Sequence, residues 1–228
     1  MATHEHHHHD HGHHGHGHHG HEHDHAHPHP TLPDAAELVT YYQRMETAVR
    51  ELLIAKGIVT ADAVRRAIEA MDARTPAQGA RVVARAWADP AFKKRLLENG
   101  TAACEELGIA MGGTKLVVVE NTPKTHNVIV CTLCSCYPRN VLGLPPDWYK
   151  SREYRSRAVR EPRAVLAEFG TTVPDSVDVR VHDSTADMRY LVLPERPAGT
   201  EGMSEADLAA LVTRDSMIGV AKAQQPGA

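Results

Sequence analysis

Three cysteines fall within six residues, Cys131-Thr132-Leu133-Cys134-Ser135-Cys136, and no other stretch of the chain restricts its own backbone so strongly. Cys134 and Cys136 flank a single residue, so their sulfurs can share one ion only if the backbone curls around it. That curl turns the backbone nitrogens of Ser135 and Cys136 toward the same ion. The resulting chelate rings are five- and six-membered, which are unstrained sizes. Cys131 can add a fifth ligand, and a sixth position stays open for water or substrate, as a catalytic metal requires. Amide nitrogens bind only when deprotonated, so a trivalent cobalt or iron ion suits the site better than zinc.

Two other readings of the cluster stay open on spacing alone. Cys131 and Cys134 form a C-x-x-C pair of redox type, although this leaves Cys136 unused. A structural zinc site would need a fourth ligand beside the three thiolates, with His126 or Cys104 as candidates. Cys104 stands in an Ala-rich helical context and reads as a small buried residue.

The rest of the composition narrows the class. The 228 residues are enough for one domain with a real core and an added arm. With 25 basic and 29 acidic residues the charge is too balanced to suggest nucleic acid. Apolar runs such as Leu116 to Val119 are too short to cross a bilayer, so no membrane association is expected. The start shows no basic, then apolar, secretory pattern, which leads to the expectation of a cytoplasmic protein.

Sixteen of the 18 histidines lie between His4 and His29, interleaved with Gly, Asp, Glu, Ala and Pro. Residues 1–30 have nothing apolar to bury and are expected to be disordered. A cloning tag or an inert tail are possible origins, but imidazole is a good ligand for divalent transition ions. The favoured reading is a segment that gathers metal for chemistry performed elsewhere; a chain that only carries metal through this segment is the non-enzymatic alternative.

Past Pro33 the spacing turns helical. Asp34 with Glu37 makes a capping-box-like start, and Leu38, Tyr42, Met45, Val49 and Leu52 or Leu53 recur at helical spacing up to a stop at Gly57. Thr60, Thr75-Pro76 and Asp89-Pro90 each begin a further helix. Residues 31–108 thus read as a helical arm of four or five helices, packing on a partner. Residues 109–228 read as the metal-binding domain. Within it Lys115 to Glu120, Asn127 to Val130, Val177 to His182 and Met188 to Leu193 are expected strands. Asp147 to Phe169 is expected to be helical with a break near Pro162, and Ser204 to cap a last helix through Arg214. An apolar tail from Ser216 to Val220 follows.

The stretch Val117 to Pro123, then His126 to Pro138 with the cysteine hexapeptide, resembles the α subunit of nitrile hydratases almost residue for residue. The resemblance continues through Val141 to Lys150, Arg160 to Arg163, Arg189 to Pro194, Arg196 to Gly202 and Thr213 to Gly219. Thr132 at the second hexapeptide position looks like the cobalt branch. The resemblance implies an α+β fold, a helical N-terminal arm followed by a layered α/β/β/α domain. It implies a non-corrin Co(III) centre, with iron the less favoured ion. Cys131, Cys134 and Cys136 would ligate it through sulfur, and Ser135 and Cys136 through backbone nitrogen. Cys134 would be oxidised to sulfinate and Cys136 to sulfenate. Cys134, Ser135 and Cys136 would form the catalytic set. There a nitrile is hydrated to an amide by hydroxide or by the Cys136 sulfenate oxygen. A β subunit would complete the enzyme, as αβ or α2β2, and an activator protein is a further possible partner for cobalt loading.

Two departures stand out. Arg139-Asn140 follows Tyr137-Pro138 where many nitrile hydratases carry Trp-Pro, and the metal subunit of thiocyanate hydrolase is similar to this chain in having Arg there. Arg139 is therefore a candidate substrate-pocket residue, and it raises thiocyanate or another small polar or anionic molecule as an alternative substrate. Gly112-Gly113-Thr114-Lys115 stands where relatives often have Gln-Gly-Glu.

Overall fold

A computed structural model describes residues 40–134 and 136–227. The chain divides into two compact units, Met1–Lys56 and Gly57–Ala228. In the first, α1 (Tyr41–Ala55) begins at Thr40, whose hydroxyl accepts from the Gln43 amide while the Gln43 side chain accepts from the Thr40 amide. The start expected at Asp34 and Glu37 lies outside the described residues. None of the side chains of α1 is buried, and Tyr41, Tyr42, Met45, Val49 and Leu52 stand exposed.

The second unit opens with α2 (Ala61–Asp72), capped by Thr60 as the sequence suggests and likewise without a buried residue. Then α3 (Pro76–Ala88), α4 (Pro90–Glu98) and α5 (Gly100–Glu106) follow. Helix α3 buries Gly79, Ala80, Val82, Val83, Ala84, Ala86 and Trp87, too wide a stripe for a surface helix. The residues read as one arm thus hold two kinds of helix: α1 and α2 with nothing buried, and α3 to α5 rooted in a core.

Strand β1 (Lys115–Glu120) leads through a tight turn into β2 (Thr125–Val130). Short helices α6 (Arg139–Leu142) and α7 (Asp147–Lys150) precede α8 (Arg152–Arg160) and α9 (Pro162–Glu168). The helical stretch from Asp147 breaks twice, at Pro162 as expected and also at Ser151, whose hydroxyl caps the Tyr154 amide of a new helix. Strands β3 (Asp178–Asp183) and β4 (Met188–Leu193) come next, then α10 (Glu205–Ala210) and α11 (Arg214–Ile218). The last helix read from Ser204 through Arg214 is corrected here. It ends at Ala210, because Thr213 and Ser216 cap a separate helix reciprocally. The apolar tail from Ser216 belongs to α11, where Ser216, Met217 and Ile218 are buried.

Two parallel two-stranded sheets form the centre. β1 pairs with β4 and β2 with β3, in the registers Lys115 to Met188 and Thr125 to Asp178. They pack on each other, with α4 and α5 against β1 and with α8 and α9 against β2 and β3. The result is the α/β/β/α layering. β2 is buried from His126 to Val130, as a parallel strand covered on both faces should be. No helix among the described residues is long and apolar enough to cross a membrane.

Gly219 ends α11 at φ +94°, and a Cβ there would run into the carbonyl of Asn127 in β2. Its own carbonyl receives the His126 imidazole at 2.7 Å. Gly219→Ala is expected to lower unfolding stability by about 1–3 kcal/mol for the backbone alone, and by more once the clash is added. Chemical denaturation measures this, and an unchanged midpoint would refute the close approach.

Candidate metal centre

β2 carries the chain through the core and releases it at Val130, so Cys131 emerges still buried, at 1% exposure. The chain then turns back on itself. The Cys134 amide donates to the Cys131 sulfur at 3.3 Å. The Cys131 and Cys134 sulfurs lie 3.4 Å apart, and those of Cys134 and Cys136 3.1 Å apart. All three sulfurs fall within 4.8 Å of one another. Burial first, and then the hydrogen bond with Cys134, push the Cys136 thiol up to about 12.

Three groups from distant parts of the chain hold this loop. Asp183, at the end of β3 and opposite Val130 in the register, accepts from the Thr132 amide at 3.0 Å and from its hydroxyl at 2.5 Å. Arg155 of α8 donates to the Cys134 carbonyl. The Tyr149 hydroxyl of α7 donates to the Cys136 carbonyl at 3.0 Å. Tyr149 is fully buried, and burial raises its hydroxyl well above the usual phenol range, so it stays a donor. Five of the chain's ten Phe, Tyr and Trp rings gather beneath the loop. Tyr137 meets Tyr149 edge-on at 5.0 Å, and Trp148 meets Tyr154 at 4.9 Å and Phe169 at 4.6 Å. Such a packed block makes a rigid floor for the loop.

The donors suit a thiophilic transition ion: three sulfurs already converged, held from outside by hydrogen bonds to the backbone. A four-ligand zinc site fails on geometry. His126 is the second residue of β2, five residues or about 16 Å of strand from Cys131, and its ring is taken by the Gly219 carbonyl. Cys104 is buried in α5, and burial pushes its thiol up to about 12. Among the described residues only Cys131, Cys134 and Cys136 converge as a group that could hold a metal. A simple redox pair fits no better, since Cys136 stands as close to Cys134 as Cys131 does.

Ser135 lies outside the described residues. Arg139, at the start of α6, borders the same recess as the thiols. That recess, about 390 Å³, is lined by Arg74, Thr114, Cys134, Cys136, Tyr137, Arg139, Asn140 and Arg189. Sequence reasoning did not single out Asp183, Arg155, Tyr149, Arg74 or Arg189. Tyr149 and Arg189 fall inside segments that carry the family resemblance. The other three leave no mark, because they reach the site from far along the chain.

Comparison with known proteins follows the same line. The family model described as "Nitrile hydratase, alpha chain" matches residues 40–221. The chain is 55% identical over 180 residues to the cobalt-containing nitrile hydratase subunit alpha of Pseudonocardia thermophila, covering 78% of this chain and 88% of that one. It is 45% identical over 197 residues to the thiocyanate hydrolase subunit gamma of Thiobacillus thioparus, covering 81% of each. Among solved structures, a double mutant of the Fe-type nitrile hydratase from Comamonas testosteroni Ni1 superposes with a TM-score of 0.76 at 48% identity. The superposition covers 81% of this chain and 91% of that one.

If Asp183 braces the loop, Asp183→Ala should open residues 132 to 134 to amide hydrogen exchange and cost about 1 kcal/mol of stability. Unchanged exchange at Thr132 would remove Asp183 from the scaffold.

Proposed function

Because this chain belongs to the nitrile hydratase α-chain family, we propose that it is the metal-binding catalytic subunit of an enzyme that adds water to a nitrile, R–C≡N + H2O → R–CO–NH2. The observation that carries the reading is the convergence of three thiols at the mouth of a recess. Cys131, Cys134 and Cys136 would hold the ion, with the Ser135 and Cys136 nitrogens as further donors. When bound, the ion supplies a Lewis acid that polarises the C≡N carbon toward water.

Every other part of the chemistry falls to the chain. Asp183, Arg155 and Tyr149 fix the loop so that its sulfurs need not move as the reaction proceeds. Cys134 and Cys136 border the recess, and Cys131 lies buried behind them. Oxidation of Cys134 to sulfinate and Cys136 to sulfenate, with dioxygen as oxidant, would add oxygens at the recess wall able to orient the attacking water or accept its proton. Trivalent cobalt is the ion we favour, since Thr132 follows the cobalt branch and the P. thermophila relative is named as cobalt-containing. Clustered free thiols suit a cytoplasmic setting.

The partner in this reading is a β subunit. Helices α1 and α2 bury nothing, yet α1 carries Met45, Val49 and Leu52 and α2 carries Ile68 and Met71 at helical spacing. Such faces need cover. The His-rich segment from His4 to His29 lies outside the described residues. We propose that it gathers divalent cobalt for the site, with or without an activator protein.

Two measurements test these statements. The chain co-expressed with its β subunit in cobalt medium should retain about one tightly bound cobalt per αβ unit. Its 131–136 peptide should show a mass gain equal to three oxygens, whereas zinc with unmodified cysteines would overturn the catalytic reading. Removing residues 1–30 should lower cobalt content several-fold when cobalt is limiting and leave it unchanged when cobalt is abundant; equal loading in both media would end the loading role.

A further inference from the structure

The recess beside the thiols is charged in one sense. Arg74, in the turn after α2, Arg139, at the start of α6, and Arg189, in β4, all line it. None of its lining residues is acidic. Among the described residues neither Arg74 nor Arg139 makes an ion pair or a side-chain hydrogen bond, and both are exposed to the recess and solvent. Arg189 is occupied differently. It gives Nη1 to the carbonyls of Thr185, Ala186 and Met188. Arg189 is thus held by backbone carbonyls of its own chain segment, and among the described residues the guanidinium groups of Arg74 and Arg139 remain without a counterion.

Covering such a recess with a neutral apolar substrate would strip water from two cations and return nothing. A carboxylate would match the planar guanidinium fork by paired N–H···O bonds, among the strongest polar contacts a protein makes. The volume, about 390 Å³, is within the range of small-molecule sites and leaves space for several atoms beyond a C≡N group. Arg139 follows Cys136 by three residues, so a bound carboxylate would sit a short reach from the thiols.

We propose that Arg74 and Arg139 make this recess selective for nitriles that also carry a carboxylate close to the C≡N group, the carboxylate held by the two guanidiniums and the C≡N directed at the cysteine loop. The proposal rests on nitrile hydration at this site and names its substrate class. The reaction with the shortest such compound balances as cyanoacetate + H2O → malonamate, with the carboxylate unchanged.

The test uses the cobalt-loaded complex with its β subunit and a matched pair of substrates, cyanoacetate and its neutral analogue cyanoacetamide. We expect kcat/KM to favour cyanoacetate by at least about tenfold, chiefly through KM. Arg139→Gln and Arg74→Gln should each shrink that ratio several-fold. Because both side chains are exposed, neither change disturbs the core. Calorimetric binding of malonamate against malonamide gives a readout independent of turnover. Malonamate should bind more tightly, with an affinity that falls as salt rises. A complex that hydrates both substrates equally, or prefers cyanoacetamide, overturns the proposal; that result would place an acidic side chain of the β subunit on the two arginines. Consumption of thiocyanate without cyanoacetate also overturns it, because the recess would then select a small anion and exclude the carboxylate. A cobalt-loaded complex that hydrates no nitrile refutes the hydration reading itself, and this inference with it.

Discussion

The structure hangs on β2. Its five residues from His126 to Val130 are buried in a row, between a sheet partner on one edge and a second sheet across its face. A strand in that position must satisfy its polar groups internally. The Asn127 side chain donates to the Glu120 carbonyl and to Asn121 and accepts from His182 at 2.8 Å, while His126 reaches the Gly219 carbonyl. Each of these groups left unpaired would cost about 1–3 kcal/mol. Satisfied together, they fix the height at which β2 ends, and hence where Cys131 leaves the core.

That exit explains why the reactive segment can be a loop without being loose. Ligand sites in parallel sheets lie outside the carboxyl ends of strands, where the last pleat aims the following residues away from the core. Here β2 and β3 end side by side, so Asp183 stands beside Thr132 without any distortion of the sheet. The opposite side of the loop is met by α7 and α8, which bring Tyr149 and Arg155. The loop is therefore braced by a strand end and two helices. Its thiols are gathered within a stiff surrounding frame.

Much of this was legible in the residues, and the reason differs from element to element. β1 and β4 were read at their true limits because short apolar runs, Leu116 to Val119 and Tyr190 to Leu193, are too brief for a helix and leave few alternatives. The helix starts at Thr60, Thr75 and Asp89 were legible because caps and Pro at the first position act locally. The break at Ser151 and the restart at Thr213 were missed because Ser and Thr inside a helical pattern are ambiguous until the cap closes. The thiol cluster was legible because its members adjoin. Its braces were not, since Asp183 lies 51 residues from Thr132 and no periodicity links them.

The same asymmetry bears on how the site works. The thiols are gathered within one chain, but the recess they border is open and its arginines stand in water. There a guanidinium attracts an anion weakly, because the solvent screens most of the field. The attraction grows several-fold once a surface closes over the recess and excludes water. Selectivity in the recess would then depend on whatever covers it: the cysteine loop would set which bond reacts, and a covering surface would give the charges around it their strength.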